Sequence, residues 1–297
     1  MSLRAERRGL RFEVRGSRLK AWGVTPLLLW LTGAQQPNYR PLKPPNLKPQ
    51  TSFRVCADPN NLPFSNDREE GFENKIAALI ARDLGQRLEY TWWAQRRGFV
   101  RNTLNAGMCD VIMGVPTGYG LASVTQPYYR STYVFVTRKD RRLHVASLDE
   151  PQLRRLRIGV HLIGDDYSNT PAVQSLARRG LAANVVGYTV YGDYSKPNPP
   201  AELVHAVARG DVDVAVVWGP LAGYFARREP VPLELAPVSP TIDGAALPYV
   251  YDIAIGVRHR DSARLALLER ELQRRRSEIT QLLSEYGVPL LSISVGK

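Results

Sequence analysis

Histidine and cysteine are scarce in this 297-residue chain, at four and two. The histidines (His144, His161, His205, His259) stand far apart, and none opens an H-E-x-x-H pair. G-x-S-x-G and the phosphate-binding P-loop are missing too, so the known hydrolase, zinc-protease and nucleotide motifs are excluded. Asp58-Pro59-Asn60-Asn61-Leu62 begins like a calcium loop but puts Leu62 where an oxygen ligand belongs. No metal and no cofactor are expected. The apolar run at residues 21–31 is shorter than the roughly 20 residues a bilayer span requires, and it contains Pro26.

What is present is the mix of a soluble globular protein, 44% hydrophobic and 23% charged. The length suits one large domain or two lobes of ordinary size. Net charge is +12; residues 1–34 hold seven Lys/Arg against Glu6 and Glu13, a +5 share, which leaves +7 for the rest. Such a balance favours an acidic partner or anionic surface, with association that slows as salt rises. Nucleic acid is not expected. The basic residues are scattered along helices, with no aromatic-basic sheet motif or helix-turn-helix spacing.

A basic stretch, the apolar run 21–31 and the small residues Thr32-Gly33-Ala34 read as an export signal over residues 1–34, cleaved after Ala34. A periplasmic location follows, with no stable membrane insertion after cleavage. Residues 35–50 contain five prolines and read as an extended linker. Cys56 and Cys109 would meet an oxidising compartment, which favours a disulfide. Yet Cys56 falls within one predicted strand and Cys109 just before another. If those strands pair in parallel, the side chains stand several residues out of register, beyond the roughly 7 Å Cα limit. Disulfide and buried thiols both remain open.

From residue 51 strands and helices alternate. Residues 53–57 read as a strand stopped by Asp58-Pro59-Asn60-Asn61. The spacing of Ile76, Leu79, Ile80 and Leu84 predicts a helix over 73–84 with Gly85 as its stop. A strand at 88–93, a helix at 100–106 and a strand at 110–115 complete a βαβαβ lobe. The plan repeats with a strand at 157–160, a helix from Thr170-Pro171 to Gly180, a strand at 185–190, a helix at 201–209 and a strand at 213–218. Gly107-Met108-Cys109-Asp110-Val111 and Gly210-Asp211-Val212-Asp213-Val214 share G-x-x-D-V at matching places. In each, the glycine ends a helix and the aspartate opens a buried strand. Strands at 133–137 and 252–257 are candidates to cross between the halves. Residues 261–286 read as one long helix, with Arg274-Arg275-Arg276 on its solvated face.

Two βαβ lobes joined by two crossing strands resemble the type II periplasmic binding protein fold. The strings Arg54-Val55-Cys56-Ala57-Asp58-Pro59-Asn60-Asn61-Leu62-Pro63-Phe64-Ser65, Gly71-Phe72-Glu73-Asn74-Lys75, Tyr90-Thr91-Trp92-Trp93-Ala94-Gln95-Arg96-Arg97-Gly98-Phe99 and Pro127-Tyr128-Tyr129-Arg130-Ser131 are more specific. They resemble the quinoprotein dehydrogenase-associated branch of that fold, the MoxJ/XoxJ-like group. The resemblance implies a lobe at 51–134 plus 255–297 and another at 135–254. It implies a non-enzymatic periplasmic accessory that assists activation or assembly of a PQQ-dependent methanol or alcohol dehydrogenase. The implied partners are that enzyme and its cytochrome c. The alternatives are the substrate-binding component of an ABC transporter for a small organic solute, and a cleft enzyme such as a dehydratase.

Ligands of open α/β sheets sit beyond the carboxyl ends of the strands. That rule selects Asp58, Asn60, Asn61, Phe64, Trp93, Thr117 and Tyr119 in the first half, and His161, Asp165, Asp166 and Trp218 in the second. The strings shared with the family add Phe72, Tyr128 and Arg130. The cleft so defined would take a small ligand or a segment of the partner. Arg96-Arg97 would hold an anionic partner or merely decorate a loop. Amino-acid-binding relatives place an arginine after the third strand and an acid after its second-lobe counterpart. Here those places read Pro116-Thr117-Gly118-Tyr119-Gly120 and Trp218-Gly219-Pro220. A buried carboxylate or ammonium without a charged partner is costly, so amino-acid capture is disfavoured.

Overall fold

In a computed structural model, which describes residues 51–163, 169–191, 193–245 and 247–293, the first apolar run forms β1 (Ser52–Ala57). The short pair β2 (Asn60–Asn61) and β3 (Ser65–Asn66) shapes the loop that follows. Next come α1 (Phe72–Asp83), β4 (Arg87–Trp92), the single turn α2 (Phe99–Asn102), β5 (Val111–Pro116) and β6 (Ser123–Val124). The long strand β7 (Tyr129–Arg138) leads into the second half. There β8 (Ile158–Leu162), α3 (Pro171–Arg178), β9 (Val185–Thr189), α4 (Glu202–Arg209), β10 (Val214–Trp218) and α5 (Gly219–Ala226) repeat the plan. β11 (Leu233–Pro237), the pair β12 (Ile242–Asp243) and β13 (Leu247–Pro248), and β14 (Val250–Val257) bring the chain back. The helices α6 (Ser262–Arg274) and α7 (Arg276–Glu285) close it. The signal and linker readings, and Asp165 and Asp166, lie outside the described residues.

The strands run β4-β1-β5-β14 in the first lobe and β9-β8-β10-β7 in the second, with β11 on β7. Each lobe thus places its second strand at the edge, then its first, its third and a crossing strand. β7 and β14 are those crossing strands. They pair antiparallel where they pass, Val250 opposite Thr132 and Ile253 opposite Tyr129. Beyond that stretch β7 joins β10 and β11, and β14 joins β5 and β6.

Alternation along the strands builds the cores. Val55, Val111 and Met113 face the cluster of Phe72, Ile76 and Ile80 from α1 and Leu268, Leu272, Ile279 and Leu283 from the last two helices. Cys56 and Ile112 face the other side, against Phe99, Val100, Leu104 and Cys109, and the break in alternation at Gly114, φ +67, brings Val115 to that side too. Burying a side chain such as Ile76 contributes about 2 kcal/mol, so these faces carry much of the lobe's stability.

The open question of the two cysteines is settled, and three expectations are corrected. Cys56 and Cys109 form a disulfide, with Cα atoms 5.6 Å apart. β1 and β5 do pair in parallel, Cys56 opposite Ile112, but Cys109 lies in the bend before β5 and not on a straight extension of it. That bend lets it reach its partner. The helix expected at 100–106 stops at Asn102, where the Thr103 hydroxyl donates to Phe99 O at 2.6 Å. The long last helix is broken at Arg275. Its arginines are not merely solvated: Arg275 donates to both Asp83 oxygens, at 2.6 and 2.7 Å, and Arg274 lies 3.0 Å from the same carboxylate. They fasten the break to the end of α1, and those hydrogen bonds hold the Asp83 carboxyl down at about 2.

Candidate ligand cleft

The carboxyl ends of β1 and β5 face those of β8, β9 and β10 across a cleft of about 730 Å³. Asp58, Asn61, Phe64 and Tyr119 line it from the first lobe, His161 and Trp218 from the second. The structure brings these six together. Asn60 stands at the rim, where its side chain bonds the other lobe. Trp93 is 42% exposed and lies off the cleft wall. Phe72 is fully buried in the first core, its ring edge-on to Phe64, Tyr129 and Tyr286. Thr117 and Tyr128 border a separate depression beside α6, with Asp252 and Glu269. Arg130 sits on β7 within 3.6 Å of Asp252.

Asp58 follows β1 directly and is buried. Its Oδ1 accepts from Asn60 N at 2.8 Å, while Oδ2 accepts from Gln95 N at 2.6 Å and from the Tyr194 hydroxyl. The carboxylate therefore fixes two loops of its own lobe and takes a donor from the opposite one. Burial pushes the Tyr194 hydroxyl well above its ordinary pKa, and the Asp58 hydrogen bond raises it further, so it stays a donor. Asn60 adds two more bonds between the lobes: Nδ2 donates to Lys196 O at 2.8 Å, and Oδ1 accepts from Asn198 N at 2.7 Å. The Arg96 guanidinium lies 4.6 Å from the Tyr194 ring centre, within cation–π range. Leu62 is packed into the second lobe's cluster with Leu221 and Phe225. The lobes are closed on one another at this edge.

His161 ends its buried stretch of β8 with Nε2 3.0 Å from Pro200 O. A carbonyl only accepts, so Nε2 carries the hydrogen. Burial lowers the ring's pKa to about 4, and the imidazole is neutral at pH 7. It props the 198–200 segment that closes the cleft.

The floor comes from the crossing strand and β10. Tyr133 and Trp218 are register partners with ring centres 5.3 Å apart, and Tyr251 stands 5.7 Å from Trp218. Behind the opposite wall, Gly114 has φ +67 and an added Cβ would come within 2.0 Å of Glu73 Oε1. Only glycine fits there. Glu73 is itself buried, which pushes its carboxyl up to about 8.

Sequence reasoning passed over Tyr191 and Tyr194, which line the cleft after β9. The strand-end rule selects residues after β8 and β10, and the same rule at the end of β9 reaches both. Arg96, Arg97 and Arg101 also line the cleft, with Asp58 its single acid among the described residues. Among those residues no group of three or more His, Cys, Asp or Glu stands where it could hold a metal, and no helix is long and apolar enough to cross a membrane.

Two lobes joined by paired crossing strands, with a cleft at the strand ends, define a type II periplasmic binding protein. An ancestral cationic amino acid solute binding protein shares this fold at 17% identity and a TM-score of 0.60, over 80% of this chain and 95% of the other. Nearer structures are the periplasmic binding protein XoxJ from Methylobacterium extorquens AM1 and MxaJ from Methlophaga aminisulfidivorans MPT. XoxJ is 34% identical with a TM-score of 0.66, and MxaJ 26% identical with 0.70. Each match covers 81% of this chain and the whole of the other. Protein MoxJ of Paracoccus denitrificans is 30% identical over 267 residues, 85% of this chain and 94% of MoxJ. No family model matches the chain. The chain belongs to the MoxJ/XoxJ-like family of periplasmic binding proteins.

Proposed function

We propose that this protein is an exported accessory that assists activation or assembly of a PQQ-dependent methanol or alcohol dehydrogenase, and that it performs no catalysis itself. In this reading residues 1–34 are removed after Ala34, and residues 35–50 tether the folded part. The lobes, 51–134 plus 255–297 and 135–254, close by a hinge at β7 and β14. Asp58, Asn61, Phe64, Tyr119, His161 and Trp218 then meet the bound group.

Membership of the MoxJ/XoxJ-like family over nearly the full length of its relatives carries the reading. The cleft supports it. Asp58, the one acid on the described wall, is occupied by Asn60 N, Gln95 N and Tyr194. It is no free base for catalysis and no open partner for an amino acid's ammonium. His161 is held on Pro200 O. A general base works best with a pKa near the operating pH, and burial lowers the His161 ring to about 4, far below it.

The test mixes the purified protein with a quinoprotein alcohol dehydrogenase taken from cells lacking it. Co-elution, or a rise in dehydrogenase activity, is the expected result. An unchanged enzyme together with micromolar solute binding would overturn it in favour of a transporter component.

A further inference from the structure

We infer that the ligand of this cleft is an aromatic anion, a flat ring bearing a carboxylate and no ammonium group. This deepens the reading of the cleft as a binding site by naming the class of ligand it takes.

The first observation is the balance of donors and acceptors. Tyr119, Tyr133 and Trp218 line the cleft, and their hydroxyl or indole N–H groups make no hydrogen bond to protein among the described residues. The Arg101 guanidinium, on the same wall, likewise has no hydrogen-bond or ion-pair partner there. Asp58, the one acid of that wall among the described residues, already accepts three donors. The cavity therefore presents N–H and O–H groups awaiting an acceptor, and a carboxylate is the strongest acceptor an organic ligand brings. An ammonium would enter against arginines and find Asp58 taken, at the cost of an unpaired charge.

The second observation is the shape and character of the walls. Phe64, Phe99, Tyr119, Tyr133, Tyr191 and Trp218 contribute to one cavity of about 730 Å³. That volume lies in the range of small-molecule sites, about 300–1,000 Å³. Flat faces on the floor and sides fit a flat ring, through offset or edge-on contacts. Tyr133 and Trp218 are fixed by register on adjacent strands and by mutual ring contact, so the floor is preformed. Little side-chain freedom is left to lose on binding.

Titration calorimetry on the purified full chain tests the inference with 2-naphthoate, its neutral amide 2-naphthamide, the non-aromatic cyclohexanecarboxylate, and L-phenylalanine. The expected result is that 2-naphthoate binds at least about ten-fold more tightly than each of the other three, because only it satisfies both the donors and the ring faces. Arg101→Gln should weaken 2-naphthoate about ten-fold and leave 2-naphthamide unchanged. Arg270→Gln, the same charge change on the exposed face of α6, should alter neither. Equal binding of acid and amide, a preference for L-phenylalanine, no heat with 2-naphthoate at millimolar concentration, or an unchanged Arg101→Gln variant would each overturn it. No dehydrogenase is present in this assay, so failure here leaves the accessory role standing, and failure of that role leaves a measured affinity standing.

Discussion

In the first lobe Arg54 grips Asp110 with Nε and Nη2, at 3.0 and 2.8 Å, and reaches Gly107 O at 3.2 Å. In the second lobe Arg157 grips Asp213 at 3.3 and 3.2 Å and reaches Gly210 O at 2.8 Å. These are the two G-x-x-D-V segments, and in both an arginine at the start of the lobe's first strand ties the head of its third. The copies are unequal. Asp110 also takes Arg258 at 2.8 Å and lies 3.7 Å from Arg264, and its side chain is 7% exposed against 21% for Asp213. The disulfide sits beside Asp110 alone, while the second lobe places its cluster elsewhere, with Arg178 and Arg179 on Asp243. A repeated motif thus conserves a geometry, and the neighbours decide how much it stabilises.

The largest expected effect comes from the element that one lobe has and the other lacks. The disulfide closes a loop across a sequence separation of 53 residues. Restricting the unfolded chain by such a loop contributes about 4 kcal/mol. The double variant Cys56→Ala/Cys109→Ala should lower the denaturant midpoint accordingly. A loss below about 1 kcal/mol would mean that the packing around Cys56 and Cys109, with Phe99 and Leu104, already holds the bend.

Comparable in size are two buried titratable groups, one in each lobe and opposite in sign. Glu73 rises from 4.5 to about 8 in the folded state because burial disfavours its charge. It holds its proton where the unfolded chain has lost it, so its contribution is full below pH 4.5 and is lost as pH rises towards 8. His161 falls from 6.5 to about 4 by burial, so its contribution is present above 6.5 and lost as pH falls towards 4. The swings are on the order of 3–5 kcal/mol, the Glu73 one being the larger. Glu73→Gln should flatten the alkaline limb of a stability–pH curve, and His161→Gln the acid limb. If either variant flattened the other's limb, the assignment of lobe to limb would break.

Much of this arrangement was legible in the residues, and the exceptions have physical causes. Periodicity found the paired lobes because strands and helices differ in repeat and each lobe's elements end at glycines. Gly85, Gly107, Gly180 and Gly210 all take positive φ. Asp58, Asn61, Phe64, Tyr119, His161 and Trp218 reach the cleft because a strand's carboxyl end fixes position without needing orientation. Phe72 and Tyr128 came from shared strings, which give identity but not the direction of a side chain, and both point into the core. The disulfide was obscured because strand register says nothing of a bend one residue before the strand. The closure contacts of Asn60 and Tyr194 join residues 136 and 138 positions apart, a pairing that no local pattern encodes.

The inequality at the two aspartates is the next test in order of size. Asp110→Asn leaves three arginines around a neutral, nearly buried side chain, whereas Asp213→Asn leaves one arginine with access to water. Removing one partner of a buried charge cluster is strongly destabilising, and an exposed pair contributes about 1 kcal/mol at most. Asp110→Asn should therefore cost about 2 kcal/mol more than Asp213→Asn in denaturant unfolding. Equal losses would show that Arg258 and Arg264 add nothing to what Arg54 already does.

The smallest expected effect concerns what joins the lobes. Tyr194→Phe removes the hydroxyl donated to Asp58 Oδ2 and leaves the ring beneath Arg96. One hydrogen bond to a charged group is worth about 1.5–3 kcal/mol, but most of that is recovered here, because the carboxylate keeps Asn60 N and Gln95 N as donors and takes water in place of Tyr194. Folding stability should barely change, while the balance between closed and open lobes shifts towards open. Small-angle scattering of the ligand-free variant should then give a larger radius of gyration than the parent. An unchanged radius in Tyr194→Phe, with an increase in Asn60→Ala, would move the latch to the Asn60 bonds with Lys196 and Asn198. The hydroxyl on Asp58 would then serve to order the 191–198 segment and not to hold the halves together.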